Sequence, residues 1–302
     1  MTSTRRFHLF CRPVAVLLAL CLAPIDDAVL AKTALEATPE ALAGAMSTRR
    51  NALLGEVHDN GVQHALRAAA LRRLVEAGAR PAIAFEQFDR ERQPDIDRLR
   101  REQPGDVDAL IALGAPNWQW KHYRPFLQLA IDNGLPIVAA NLSRADAVKV
   151  TMQGWGAVFD TAAQADLGLD RLPPDFVAAH EDAVARGHCD LLPRDSLPAM
   201  ARAQMARDIV LTHSLRPHLA RGVVLLTGNG HVRKDIGVPF WLNADERRDV
   251  VAIGLLELDP TTSETTGEAL SQHYDAIVKT AAADRPDPCE ALRKRMQPAA
   301  KP

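Results

Sequence analysis

The chain has 302 residues, of which 47% are hydrophobic and 25% are charged, and its formal net charge is −2 at pH 7. A chain of this length can bury a large apolar core in one domain. The nearly neutral balance lacks the basic surface typical of nucleic-acid-binding proteins, so we expect no nucleic-acid partner.

The first 31 residues are typical of an export signal. Three arginines precede an apolar run over 14–23, and Val29-Leu30-Ala31 offers small residues for cleavage. The run is shorter than the roughly 20 residues that a membrane-spanning helix needs, so we expect a cleaved signal and a periplasmic protein. A lipid anchor at Cys21 is disfavoured, because Leu20 stands where a lipoprotein signal has a small residue.

After the signal, short apolar runs alternate with helical patterns, which is typical of a mostly parallel sheet with covered faces. Strands are predicted over 52–54, 81–86, 135–141, 222–227 and 250–256. Helices are predicted over 61–77, 91–101, 106–113, 121–133, 174–187 and 196–220. The pattern therefore predicts one α/β domain over 32–283, with a helical excursion before the fourth of these strands.

Residues 284–302 form a proline-rich tail, for which we predict an extended conformation. Cys289 lies in this tail, and Cys189 lies between two predicted helices. The other two cysteines belong to the signal. In an oxidising compartment the remaining pair predicts one disulfide that tethers the tail, and two free thiols are the alternative.

Polar residues follow four of the predicted strands. They lie in Gly55-Glu56-Val57-His58, Glu86-Gln87, Asn141 and Gly228-Asn229-Gly230-His231. Because open parallel sheets bind ligands beyond the carboxyl ends of their strands, we expect Glu56, His58, Glu86 and His231 in one crevice. His64, six residues after His58, is expected to approach the same crevice from the next helix.

Two kinds of chemistry suit these strand-end residues. Glu56, His58, Glu86 and His231 could exchange protons as the catalytic residues of a hydrolase. His58, Glu86 and His231 are also candidate ligands for a divalent metal ion, although no HxH or HExxH spacing supports this. The absence of a GxSxG turn disfavours a serine nucleophile. For each histidine, the alternative is a buried residue that only caps a turn.

A second cluster is aromatic and begins at residue 118. It comprises Trp118, Trp120, His122, Tyr123 and Phe126, and Trp155 and Phe159 follow later in the chain. The simpler interpretation is a core patch under the helical excursion. The alternative is an apolar pocket for a flat ligand, with Tyr123 or His122 as an iron ligand.

Taken in order, these motifs resemble the ChaN-like family over roughly residues 45–260. The resemblance rests on Gly55–Asn60, Phe85–Phe88, Trp118–Pro125, Ala139–Asn141, Gly228–Val232 and Gly237–Pro239. The family comprises exported haem-binding proteins, in a superfamily that also holds erythromycin esterases and Tiki metalloproteases. It implies a three-layer α/β/α fold and haem as the cofactor.

The same resemblance implies a non-enzymatic role in haem or iron uptake, with outer-membrane or periplasmic uptake components as partners. It also implies a homodimer around haem, with a tyrosine on the iron and a partner histidine at the propionates; Tyr123 and Tyr274 are the two tyrosines. The candidate haem contacts are Tyr123, His122, His58, His64, His231, Trp118 and Trp120. A hydrolase, with or without a divalent metal, is the alternative function, and a scaffold that binds a partner is a third.

Overall fold

The computed structural model describes residues 33–258 and 272–296. The predicted signal over 1–31, with its cysteine at Cys21, lies outside the described residues, and so does the tail from 297 onward. Within the described ranges, no helix combines the length and the apolar character that are needed to cross a membrane.

Seven strands form one sheet, and every neighbouring pair in it is parallel. The strands are β1 (Thr33–Leu35), β2 (Asn51–Leu54), β3 (Ala82–Asp89), β4 (Ile137–Asn141), β5 (Val223–Leu226), β6 (Val250–Leu258) and β7 (Ala276–Ala281). Their order is β1-β7-β6-β2-β5-β3-β4. The predicted α/β fold is therefore confirmed. The edge strand β1 and its neighbour β7 were not predicted, because their apolar runs are only about three residues long.

Thirteen α-helices are present in the described part of the chain. They are α1 (Pro39–Met46), α2 (Gly61–Glu76), α3 (Gln93–Glu102), α4 (Val107–Ala112), α5 (Trp120–Asp132), α6 (Arg144–Gln153), α7 (Thr161–Asp166), α8 (Pro174–Gly187), α9 (Leu197–Leu215), α10 (Asn229–Val232), α11 (Val238–Trp241), α12 (Ala244–Arg248) and α13 (Pro288–Met296). The six predicted helices match α2, α3, α4, α5, α8 and α9 to within a few residues at each end.

The helices cover both faces of the sheet because alternate strand residues point to opposite sides. In β3, Ile83 and Phe85 belong to a core shared with α1 through α5. Ala82 and Ala84 belong to a second core on the other face, shared with α9, α10 and α11. This arrangement gives the three layers that the family resemblance implies.

The helical excursion between β4 and β5 has apolar clusters of its own. Trp155 and Phe159 pack in one of them, with their ring centroids 6.3 Å apart. They are therefore separate from the aromatic cluster that begins at Trp118. Helix α9 returns from the excursion and lies against the sheet, so residues along it contact both regions.

The tail differs from its predicted extended conformation, since α13 occupies residues 288–296. Proline is well accepted in the first turn of a helix, and Pro288 occupies that position here. Glu290 and Lys294 form an ion pair one turn apart along the same helix. The predicted disulfide is confirmed: Cys189 is bonded to Cys289, with their Cα atoms 5.6 Å apart.

Candidate functional site

The crevice forms where β2 and β5 end beside the middle of β3. Leu226 of β5 is level with Leu54 of β2 and with Phe85 of β3, where the register of β3 begins to shift, so the residues that come after these three positions lie at one height. Glu56, His58, Glu86 and His231 are brought together there, as expected for a parallel sheet. Two sets of contacts divide them, and we name these sets the Glu56 wall and the Glu86 wall.

The Glu56 wall consists of Glu56, His58, His64, Arg67 and Tyr123. Its centre is the fully buried carboxylate of Glu56, which forms an ion pair with the equally buried guanidinium of Arg67. Arg67 also donates to the Leu54 carbonyl at 3.1 Å and lies over the ring of Phe126. Burial lowers the pKa of Arg67 to about 10, so it remains charged at neutral pH.

Tyr123 adds a neutral donor to this wall. Its buried hydroxyl donates to Oε1 of Glu56. Burial raises the pKa of Tyr123 well above its ordinary value, which keeps the phenol protonated. The predicted role of Tyr123 as an iron ligand requires an accessible phenolate, and this environment provides the opposite.

His58 is the member of the Glu56 wall that reaches the solvent, with 46% of its side chain exposed. Its Nδ1 lies 2.8 Å from Oε1 of Glu56, and a carboxylate can only accept here, so Nδ1 carries the proton. That leaves Nε2 as the nitrogen with a free lone pair. Within the described residues, Nε2 makes no hydrogen bond.

His64 supports His58 from beneath. Its Nε2 donates to the His58 carbonyl at 2.9 Å, and its Nδ1 accepts from Arg67 at 3.1 Å. Burial lowers the pKa of His64 to about 4, so it is neutral. His122 stacks on His64 with the centroids 4.6 Å apart, and the rings of Trp118 and His58 lie nearly perpendicular with their centroids 4.9 Å apart.

The Glu86 wall consists of Glu86, Asp208, Thr227 and His231. His231 lies between two carboxylates: its Nδ1 is 2.7 Å from Oδ1 of Asp208, and its Nε2 is 3.7 Å from Oε1 of Glu86. Oε2 of Glu86 accepts from the Thr227 hydroxyl at 2.6 Å and from the backbone N–H of Gly228 at 2.9 Å.

The charges of the Glu86 wall are strongly coupled. Burial raises the pKa of Glu86, but His231, His58 and the two hydrogen bonds outweigh it and bring the pKa down to about 2. Burial lowers the pKa of His231, and Asp208 and Glu86 together raise it above its ordinary value. Burial also raises the pKa of Asp208. His231 and Asp208 can therefore share a proton near neutral pH.

The two walls meet at Gly228. A Cβ atom at this position would lie 3.0 Å from Cε1 and Nε2 of His58, and 3.9 Å from Oε2 of Glu86. The glycine thus permits the imidazole of one wall to approach the carboxylate of the other, which is a common use of glycine near a site.

Two other candidates for ligand contact lie outside the crevice. Trp120 packs against Phe88 at 5.0 Å and donates its Nε1 proton to the Ala115 carbonyl, so it belongs to the core. Tyr274 packs on Gly254 and donates to the carbonyl of Asn229 at 3.3 Å. The core interpretation of the aromatic cluster therefore holds for Trp120, Tyr123 and Phe126, while Trp118 and His122 border the crevice.

The divalent-metal hypothesis for His58, Glu86 and His231 is not supported. Across residues 33–258 and 272–296, no group of three or more histidine, cysteine, aspartate or glutamate side chains is placed to hold a metal ion. The physical reason lies in their existing partners, since Glu86 already accepts two hydrogen bonds and His231 uses Nδ1 for Asp208.

Arg67 and Asp208 are central to the walls, and neither was predicted. Both lie within helices, whereas the rule for parallel sheets points only to residues at strand ends. A signal was present in each case: Arg67 is flanked by Leu66, Ala70 and Leu71, and Asp208 lies in the run from Ala206 to Leu211. A charged residue on the apolar side of a helix needs a buried partner.

The fold and the crevice together define a class of α/β protein with a histidine site at its sheet edge, and comparison with known proteins is consistent with this. Residues 42–242 match the family model described as haem-binding uptake, Tiki superfamily, ChaN. The match spans well over half of the chain. The chain therefore belongs to this family.

Two solved structures are similar to the chain. The first, described as cofacial haem binding to ChaN of Campylobacter jejuni, has a TM-score of 0.60 and 18% identity and covers 79% of this chain and 90% of that chain. At that identity the likeness shows the fold. The second is an erythromycin esterase mutant in its open conformation, with a TM-score of 0.44, 16% identity and 72% coverage of both chains. The comparison with curated proteins gives no match.

Proposed function

We propose that this chain is a periplasmic haem-binding protein that takes part in haem or iron uptake, with His58 as the ligand for iron. The observation that carries the proposal is the state of His58. Its imidazole is half exposed, its Nδ1 is held by a buried carboxylate, and its Nε2 is free to bind.

The residues around His58 fit a haem group. A carboxylate on the far nitrogen of a ligating histidine fixes the tautomer and raises the basicity of the ligand. Trp118 offers an aromatic ring beside the imidazole, and Val62, which is 58% exposed, offers an apolar surface at the start of α2. Haem, when bound, would supply an iron atom that accepts an axial ligand.

Tyr123 is not part of this proposal. A ligating phenolate would need to leave Glu56 and lose its proton inside a buried site that raises its pKa. We assign Tyr123 instead to the support of His58, through the carboxylate that both residues share.

Titration of the mature chain with hemin tests the proposal. Wild type should show the Soret band of a ligated ferric haem, and His58→Ala should weaken binding at least tenfold. The matched control is His218→Ala, because His218 lies at the opposite edge of the sheet, before β5. Equal hemin affinity in wild type and His58→Ala would show that His58 is not the iron ligand. No binding at micromolar hemin would refute the proposed function.

Export and pairing are further parts of the proposal. Cofacial haem binding is stated of ChaN from Campylobacter jejuni, and we extend it here to a homodimer that forms around haem. Sedimentation of the mature chain with and without hemin should show a monomer that becomes a dimer. Expression of the full chain in a bacterial host should yield periplasmic protein that begins near Lys32.

A second function, hydrolysis, is favoured by the Glu86 wall. An imidazole oriented by a buried carboxylate is the arrangement that a general base needs, and Asp208 orients His231 in this way. A panel of nitrophenyl esters tests it: His231→Asn and Glu86→Gln should each abolish turnover without affecting hemin binding. If wild type cleaves none of the esters in the panel, we would withdraw this second function.

A further inference from the structure

The turn that carries His58 is held from one side by the last strand of the sheet. Asn60 donates from Nδ2 to the carbonyl of Ala281 at 2.9 Å, and Gln63 donates from Nε2 to the Thr280 hydroxyl at 3.0 Å. The position of the turn therefore depends on where β7 ends.

The segment after β7 adds a charged contact to the same turn. Arg285 donates to Oδ1 of Asp59, the residue next to His58, at 3.0 Å. The same guanidinium forms an ion pair with Glu257 at 2.5 Å, and Glu257 in turn accepts from Asn60 at 2.7 Å. Hydrogen bonding to Glu257 is the main reason why the pKa of Arg285 is raised.

A few residues further on, the chain is covalently fixed to the helical excursion. Asp287 accepts from the backbone N–H of Cys289 at 2.8 Å, and Cys289 is bonded to Cys189, which lies between α8 and α9. Residues 282–289, which we name the strap, thus connect the His58 turn with the excursion that supplies the Glu86 wall through α9.

We propose that the strap is a redox-sensitive clamp on the haem ligand, with Arg285 as the positioning residue for His58. The inference rests on the proposed haem-binding function. With the disulfide formed, both ends of the strap are fixed and Arg285 stays against Asp59 and Glu257. With the disulfide reduced, the strap is attached at β7 only, the His58 turn loosens, and haem dissociates faster.

The redox step is a thiol–disulfide exchange with a dithiol, either a small molecule or a protein. One thiolate of the dithiol attacks a sulfur of the Cys189–Cys289 bond, and its second thiolate resolves the mixed disulfide. The chain gains two electrons and two protons as two thiols, and the dithiol becomes a disulfide. Access is available, because both cysteines are only partly buried.

The size of the expected effect follows from the exposure of the contact. The side chain of Arg285 is 27% exposed and that of Asp59 is 38% exposed, so solvent screens the interaction. Exposed pairs of this kind are expected to change an equilibrium or a dissociation rate by about fivefold at most. The structure therefore assigns the strap a modest control over dissociation rather than an on–off switch.

The experiment measures hemin dissociation from the mature chain into an excess of a haem scavenger protein. Reduction with dithiothreitol, and the Cys189→Ser/Cys289→Ser variant, should each speed dissociation by up to about fivefold. Arg285→Gln should speed it equally in the oxidised chain and should then be insensitive to reduction. Arg285→Lys should retain part of the effect of the wild-type residue, and Arg295→Gln, a charge-removing control in the last turn of α13, should behave as wild type.

The outcome that overturns the clamp is an Arg285→Gln variant whose dissociation rate still rises on reduction, because the disulfide would then act by another route. An unchanged rate for wild type on reduction would overturn it equally.

A second measurement does not depend on haem. Hydrogen exchange of the amides of Val57, Asn60 and Gln63, which are bonded within the His58 turn, should accelerate when the disulfide is reduced in the haem-free chain. Faster exchange in a chain that binds no hemin would support the strap and reject the proposed function. Unchanged exchange would reject the strap, whatever the chain binds.

Discussion

The Glu56 wall balances its buried carboxylate with a buried guanidinium, whereas the Glu86 wall places two buried carboxylates around one imidazole. In the first, the charges of Glu56 and Arg67 cancel, and the carboxylate of Glu56 is also hydrogen-bonded to Tyr123 and His58. In the second, two carboxylates share one imidazole, so the charges of the three groups do not cancel even when His231 is protonated. A buried site of the first kind fixes geometry, and one of the second kind stores a proton that can move.

This contrast indicates that the two walls of the crevice have different roles. The Glu56 wall holds the half-exposed His58 in one tautomer and leaves its Nε2 unprotonated, as a metal ligand requires. The Glu86 wall has the features of an acid–base group.

Removing the guanidinium of Arg67 should be the most damaging change. Arg67→Met leaves the Glu56 carboxylate buried without its partner, which costs about 3–5 kcal/mol. The matched change near the other wall is Arg207→Met, because Arg207 is only half buried and donates to Asn141 at 2.9 Å. For Arg207→Met, urea unfolding should show a decrease of about 1 kcal/mol in the free energy of unfolding. Similar losses for the two variants would contradict the contrast between the walls.

The free energy of unfolding should decrease as the pH is lowered, because of His64. Its pKa is about 4 in the folded state, below the ordinary value of 6.5, so the unfolded chain takes up the proton first as pH falls. The contribution is fully present above pH 6.5 and is lost as the pH falls toward 4. Between pH 7.5 and 4.5 the loss is about 2–3 kcal/mol.

Urea unfolding at the two pH values measures this loss. In His64→Gln, the free energy of unfolding should differ less between the two pH values, by the amount that His64 contributes. His180 is also buried with a pKa lowered to about 4 by that burial, so His180→Gln should give a similar change independently. A pH dependence that is the same in wild type and His64→Gln would show that His64 titrates normally.

Asp208→Asn should lower the pKa of His231, because Asp208 is the main group that raises it against the effect of burial. An NMR titration of the His231 ring protons gives the direction, and stability should change by about 1–2 kcal/mol through the altered hydrogen bond. Asp249→Asn, at the far edge of the sheet before β6, is the control. If the pKa of His231 in Asp208→Asn is equal to or higher than in wild type, then Glu86 alone sets the charge of His231.

The smallest effect is expected at the junction of the walls. Gly228→Ala adds a methyl group 3.0 Å from the His58 ring, which is half exposed and can yield, so we expect a cost of about 1 kcal/mol and weaker hemin binding. Gly230→Ala is the control, because a Cβ atom there has no neighbour within 4 Å. Equal hemin affinity for the two variants would show that the walls do not need to touch.

Much of the fold could be predicted because it follows from local pattern. Five apolar runs gave the central strands to within a few residues, and the parallel arrangement then placed Glu56, Glu86 and His231 at one edge. Strand β7 was not predicted, because its pairing with β6 and β1 is set by tertiary contacts more than by its own short apolar run.

The site was predicted in location and incompletely in composition. Strand-end rules find residues such as His58, whose position follows from the sheet. They do not find Arg67 or Asp208, which enter from helices whose rotation depends on the packed core. The burial of Tyr123 likewise could not be predicted from the sequence, because it depends on how α5 packs against α2.

The placement of β1 beside β7 has a consequence for the order of folding. These strands lie near opposite ends of the described chain and pair at Thr33–Leu35 with Ala276–Val278. Closing so long a loop is entropically costly, and contacts between distant residues form late. The other strands can assemble during synthesis, but this edge of the sheet stays open until β7 has been made. Strand β1 therefore remains unpaired, and available to chaperones, for longer than any other strand of the sheet.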